Sequence, residues 1–141
     1  DARLWWHDPA RLFALAQEMG IPMVLDTAHA DSAPLRLRGV YDLYRGRIAN
    51  VHLSDARPKD ESQPKWLQTI ARHHQVPGGG SLPLDAFVAG MVADGYTGPL
   101  TLELSQTALA FWSPNEARRR LAKAREWAEN ATGKATANER G

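Results

Sequence analysis

The chain has no cysteine among its 141 residues. That excludes disulfides and thiolate ligands and leaves His, Asp and Glu as the side chains able to hold a cation. No apolar run approaches the roughly 18 residues that a membrane-spanning helix needs, so no membrane partner is expected. Net charge is nearly absent, at +1, and a neutral total gives no long-range pull toward nucleic acid or anionic lipid. No internal sequence repeat is present. The N-terminal Asp1-Ala2-Arg3 has neither an initiator Met nor a basic start followed by an apolar block. The expectation is therefore a cytoplasmic protein whose sequence is processed or cut from something longer. What is present reads as soluble and globular: 43% hydrophobic and 23% charged residues, in a chain long enough to bury a core.

Helical and extended patterns alternate along the sequence. His7-Asp8-Pro9 opens a first helix, with Asp8 as N-cap and Pro9 at the first helical position. Leu12, Phe13, Ala16 and Met19 recur at helical spacing, and Gly20 ends the helix. Strands are expected at Ile21–Asp26, Arg47–Leu53 and Pro99–Leu104, and further helices at Pro34–Tyr44, Pro83–Asp94 and from Pro114 to about Asn130. The last helix should pack through Ala117, Leu121, Ala124, Trp127 and Ala128. The long polar stretch from Ser54 to Ser81, with a short helix expected at Lys65–Arg72, has the character of a functional loop or an insertion. Residues 1–131 are read as the folded part and 132–141 as a flexible tail. Strands separated by helices imply an α/β fold with a parallel sheet.

Each strand ends in a residue able to bind metal or carry a proton: Asp26, His52 and Glu103. Side chains alternate along a strand, so Val24 shares a face with Asp26, Asn50 with His52, and Thr101 with Glu103. The other face carries Met23, Leu25, Val51, Leu53, Leu100, Leu102 and Leu104. The greasier face should lie under the helices, and the polar face should point toward a barrel interior or cleft. It does so at the C-terminal strand ends, where parallel α/β folds place their sites. Two carboxylates and an imidazole suit one divalent cation of the Mn, Mg, Co, Fe or Zn type. The plain alternatives are a helix cap for Asp26, a hydrogen-bonded core residue for His52 and an ion pair for Glu103.

Four segments carry a resemblance: Val24-Leu25-Asp26-Thr27-Ala28-His29, Val51-His52-Leu53-Ser54-Asp55, His74-Gln75-Val76-Pro77-Gly78-Gly79-Gly80 and Gly95-Tyr96-Thr97-Gly98-Pro99-Leu100-Thr101-Leu102-Glu103. In this order and spacing they resemble the xylose isomerase-like TIM-barrel superfamily of sugar (phosphate) isomerases and epimerases, to which endonuclease IV is distantly related. The resemblance implies a partial (β/α)8 barrel, about its last three strands and their helices. It implies one divalent metal ion (Mn, Mg, Co or Zn) on Asp26, His52 and Glu103. His29 and His74 then match histidines that contact substrate, and Arg57 lies where some epimerases place a substrate-binding arginine. Such enzymes abstract a proton next to a carbonyl and pass through a metal-stabilised enediolate, with Glu103 and a second carboxylate as acid and base.

That second carboxylate, the family's first metal-binding Glu, belongs to a strand that has no counterpart here, and a full barrel takes roughly 250 residues. The chain is therefore expected to be an isomerase or epimerase fragment of carbohydrate metabolism, inactive alone. Its expected partners are a sugar or sugar phosphate and the missing N-terminal barrel half. The alternatives are an endonuclease IV-like enzyme and a non-catalytic remnant. The nuclease would need an Asp where Arg72 stands, so nucleic acid is an unlikely partner. Pro77-Gly78-Gly79-Gly80 is read as a flexible turn, with a phosphate-cradling role as its alternative. Trp5 and Trp6 are expected at the rim, and Arg118–Arg125 on a solvated helix face.

Overall fold

The computed structural model describes residues 8–58, 60–62, 64 and 72–138. Trp5, Trp6 and residues 65–71 of the expected short helix lie outside the described residues. The fold alternates α and β. Three strands, β1 (Met23–Asp26), β2 (Ile48–Leu53) and β3 (Leu100–Leu102), form a parallel sheet in the order β1-β2-β3. Helices α1 (Pro9–Glu18), α2 (Thr27–Ser32), α3 (Arg36–Tyr44), α4 (Leu84–Ala93) and α5 (Pro114–Asn138) precede, separate and follow the strands. By internal contacts the chain divides into two units, residues 1–53 with 98–101, and residues 54–97 with 102–141.

In the first unit, α1 starts as its sequence dictates. The Asp8 side chain accepts from the amides of Ala10 and Arg11, with Pro9 in the first turn. Gly20 takes φ +66° and turns the chain toward β1. Met19, which shares the helical spacing of Leu12, Phe13 and Ala16, is 61% exposed. It is the C-cap residue, and the helix buries only its Pro9 and Ala16 positions fully. β1 and β2 pair in parallel, with Val24 opposite Asn50, Leu25 opposite Val51 and Asp26 opposite His52. An irregularity between Met23 and Val24 sets this register. Leu25 (1% exposed), Val51 (0%) and Leu53 (1%) are buried while Val24 is 52% exposed, so the two faces divide as the alternation predicts. A one-residue slip would turn Leu25 outward and Asp26 inward, which is why the register is firmly specified. Leu37, Val40, Tyr41 and Tyr44 of α3 complete this core, and the Phe13 ring stacks on Tyr44 at 6.0 Å.

In the second unit α4 packs against α5. Leu84, Phe87, Val88 and Met91 supply the buried stripe of α4, and Ala124 and Ala131 that of α5. α5 continues to Asn138, past its expected end near Asn130. Leu121, expected in the packed stripe, is 48% exposed. The stripe runs through Arg120 instead, whose guanidinium donates to the Ala108 carbonyl at 2.6 Å and to Glu116 at 2.6 Å. An arginine stem covers apolar surface while its head stays bonded.

Candidate metal centre and its surroundings

Asp26 ends β1 and begins α2. Its backbone is extended (φ −97°, ψ 123°), and its Oδ1 accepts from the His29 amide at 2.9 Å. The capping alternative is therefore real, and it is compatible with ligation, since a carboxylate offers about four lone-pair sites. His52 stands opposite in β2. A ligand atom of Asp26 lies within 4.8 Å of one on His52, and likewise of one on His29 in α2. Thr27, fully buried, donates its hydroxyl to the His52 carbonyl at 3.3 Å, tying the start of α2 to the neighbouring strand. Below His52 on the same face, Asn50 and Thr101 exchange side-chain hydrogen bonds of 3.1 and 3.2 Å. An open cleft of about 160 Å³ adjoins this group, lined among others by Leu12, Val24, Asp26, His29, Val40 and Tyr44.

In the second unit Glu103 directly follows β3 and is exposed, with His74 beside it. His74 Nδ1 is 3.9 Å from Glu103 Oε1 and 3.4 Å from the Ser54 hydroxyl. The first distance is an electrostatic contact rather than a hydrogen bond. Arg57 is exposed, and what fixes its place is its backbone: its amide donates to the Arg72 carbonyl at 2.9 Å, and its own carbonyl accepts from Arg72 Nε at 3.1 Å.

Within the chain, two amides of the glycine segment already have an acceptor. Its Gly78 and Gly80 amides, with that of Leu82, all donate to the carboxylate of Asp55. Residue patterns alone did not single out Asp55. The signal was an acid three residues past His52, facing a run of glycine amides in need of an acceptor.

One imidazole and one carboxylate on adjacent strand ends, with a second imidazole close by, form an N/O donor set of the kind divalent cations take. Asp26 and His52 are held in place by secondary structure on both sides, as a ligand pair requires. The residues present therefore fit a divalent metal ion, and the donor types do not select one metal.

No family model matches the chain. Among curated proteins, 3-dehydroshikimate dehydratase of Pseudomonas aeruginosa is 33% identical over 100 residues, which are 70% of this chain and 15% of that protein. Among solved structures, the IolI protein with a bound zinc atom superposes with a TM-score of 0.58 at 16% identity, covering 89% of this chain and 43% of that one. Together, at partial coverage of each, these likenesses support the xylose isomerase-like TIM-barrel superfamily. It spans a small part of the dehydratase and less than half of IolI. Its three strands are accordingly part of such a barrel, and Asp26 and His52 stand at the C-terminal strand ends where TIM barrels keep their chemistry.

Proposed function

We propose that the chain is part of a divalent-metal-dependent enzyme that removes a proton next to a carbonyl in a small polyhydroxylated substrate, a sugar or sugar phosphate. The observation that carries this reading is the pairing of Asp26 with His52 across parallel strands, their ligand atoms within 4.8 Å. Asp26, His52 and Glu103 are the proposed ligands. The zinc in IolI supports a metal in this fold. When bound, the cation supplies Lewis-acid stabilisation of negative charge on substrate oxygens.

The protein's own residues do the rest. His52 serves as a neutral ligand held in place by its strand. Glu103 takes or returns the proton, and His74 beside it, like His29 in α2, hydrogen-bonds substrate hydroxyls. Arg57 is the proposed contact for an anionic substrate group. A reversible proton shift needs a second acid–base carboxylate, and we assign it to a segment outside these residues, so that the chain alone does not turn over. The curated relative is named a dehydratase, and loss of water from the carbon next but one to a carbonyl can also open with removal of the proton beside that carbonyl. Isomerisation, epimerisation and dehydration thus share one beginning and differ in their later steps.

Isothermal titration with Zn2+ or Mn2+ tests the metal. The wild-type chain should bind one ion, and His52→Ala should weaken binding by tenfold or more, about 1.4 kcal/mol. Equal affinity in both would remove His52 from the site. Incorporation of solvent deuterium next to the carbonyl of ketoses and keto acids, run on the complete gene product, tests the reaction class.

A further inference from the structure

Asp55 has no part in the proposed chemistry, yet it is 1% exposed and accepts four backbone amides. Ala56 and Leu82 donate to Oδ1 at 2.8 and 3.0 Å, and Gly78 and Gly80 donate to Oδ2 at 3.0 and 2.9 Å. A glycine-rich turn whose amides converge is a ready anion site. Here the chain's own carboxylate fills it. Gly78 takes φ +76°, and a Cβ on Gly80 would overlap both the Ala56 carbonyl and the Asp55 carboxylate. The turn therefore closes on Asp55 only as glycine.

The backbone of Asp55 reaches the other way. It forms an antiparallel bridge with Gln75, each amide donating to the other's carbonyl at 2.9 Å. That bridge pins the residue directly after His74. His74 itself sits at φ +55°, a left-handed conformation that crowds the Cβ of any residue other than glycine. Such strain persists only where the surroundings over-determine it. The surroundings are specific: the Ser105 amide donates to the His74 carbonyl at 2.9 Å, Ser54 next to Asp55 approaches His74 Nδ1 at 3.4 Å, and Glu103 approaches the same nitrogen at 3.9 Å.

We infer that Asp55 is a positioning residue: through the glycine turn and the Gln75 bridge it holds His74 in its left-handed conformation and so sets the imidazole against Glu103. Asp55 touches neither substrate nor metal in this account. The inference rests on the proposed function only for what His74 and Glu103 do with that geometry; the geometry itself stands apart from it.

The test reads the histidine rings by proton–nitrogen NMR of the full chain, with His74 assigned through His74→Gln. In Asp55→Asn the His74 ring resonances should shift or broaden, while those of His29 and His52 stay in place. Ser54→Ala should shift His74 alone, and by less. Unmoved His74 resonances in a folded Asp55→Asn chain, with only thermal stability reduced, would overturn the inference. Where Asp55→Asn does not fold, amide exchange in the wild type decides. The Gly78, Gly80 and Leu82 amides should exchange about 100-fold or more slower than in an unstructured peptide, and exchange at the unprotected rate would overturn the inference. A Zn2+ titration of the wild type separates the two ideas, because failure to bind would sink the metal reading and leave the His74 result standing.

Discussion

Replacing Asp55 by alanine should be the most damaging single truncation of a polar side chain in the second unit. The change strands four amide donors at once. The Ala56 hydrogen bond is fully buried, and those of Gly78, Gly80 and Leu82 are partly buried. A buried donor left without a partner costs about 1–3 kcal/mol, and a hydrogen bond to a charged group contributes about 1.5–3 kcal/mol. The three partly buried amides recover some of this by turning to water. The net loss should be about 3–5 kcal/mol, a large share of the 5–15 kcal/mol that holds a typical domain together. Equilibrium urea unfolding followed by circular dichroism measures it, with exposed Glu126→Ala as a control expected to stay within about 0.5 kcal/mol. A loss under about 1 kcal/mol for Asp55→Ala would refute the reasoning, because it would mean that the amides are already satisfied without the carboxylate.

Asp26 has two roles that substitution separates. Asp26→Asn keeps a good capping side chain for α2 and should leave stability nearly unchanged while lowering metal affinity; Asp26→Ala should lower affinity and also cost about 1 kcal/mol of stability from the lost cap. Equal metal affinity in wild type and Asp26→Asn, measured by titration calorimetry, would remove Asp26 as a ligand. Gly80→Ala drives a methyl into the Ala56 carbonyl and the Asp55 carboxylate, and should lower the unfolding midpoint by more than Gly133→Ala, whose site is open. Burial, and then the negative charge of Asp8, push the Tyr44 hydroxyl above the ordinary 10.0. A raised folded value favours the neutral phenol, so its contribution to stability is complete below the unfolded value and lost as pH rises through the folded one. Phenolate absorbance should show a late-titrating step that Tyr44→Phe removes; the same late step persisting in Tyr44→Phe would contradict it.

Much of the site's scaffold was legible in the residues because it rests on short-range rules. The two-residue alternation of side chains along Met23–Asp26 and Ile48–Leu53 separated the faces near the strand ends, and the buried Leu25, Val51 and Leu53 match it. Asp8-Pro9 and Gly20 announced the ends of α1. What escaped depended on partners far away in sequence. α2 is only six residues long, too short to show a helical period, and its cap is the same Asp26 that was read as a ligand. Leu121 looked like core by spacing, yet the stripe passes through Arg120 because Ala108 offers that guanidinium an acceptor twelve residues away. Asp55 was hidden for the same reason. Nothing local marks an acid in a polar stretch as the acceptor for amides 23 to 27 residues later.

Zinc-edge X-ray absorption on the Zn2+-loaded chain, wild type against His52→Ala, tests the account most directly. The wild type should show imidazole nitrogen scattering at about 2.0–2.1 Å, and the variant should lose one such ligand. An unchanged nitrogen shell in the variant would contradict the placement of the metal between the ends of β1 and β2.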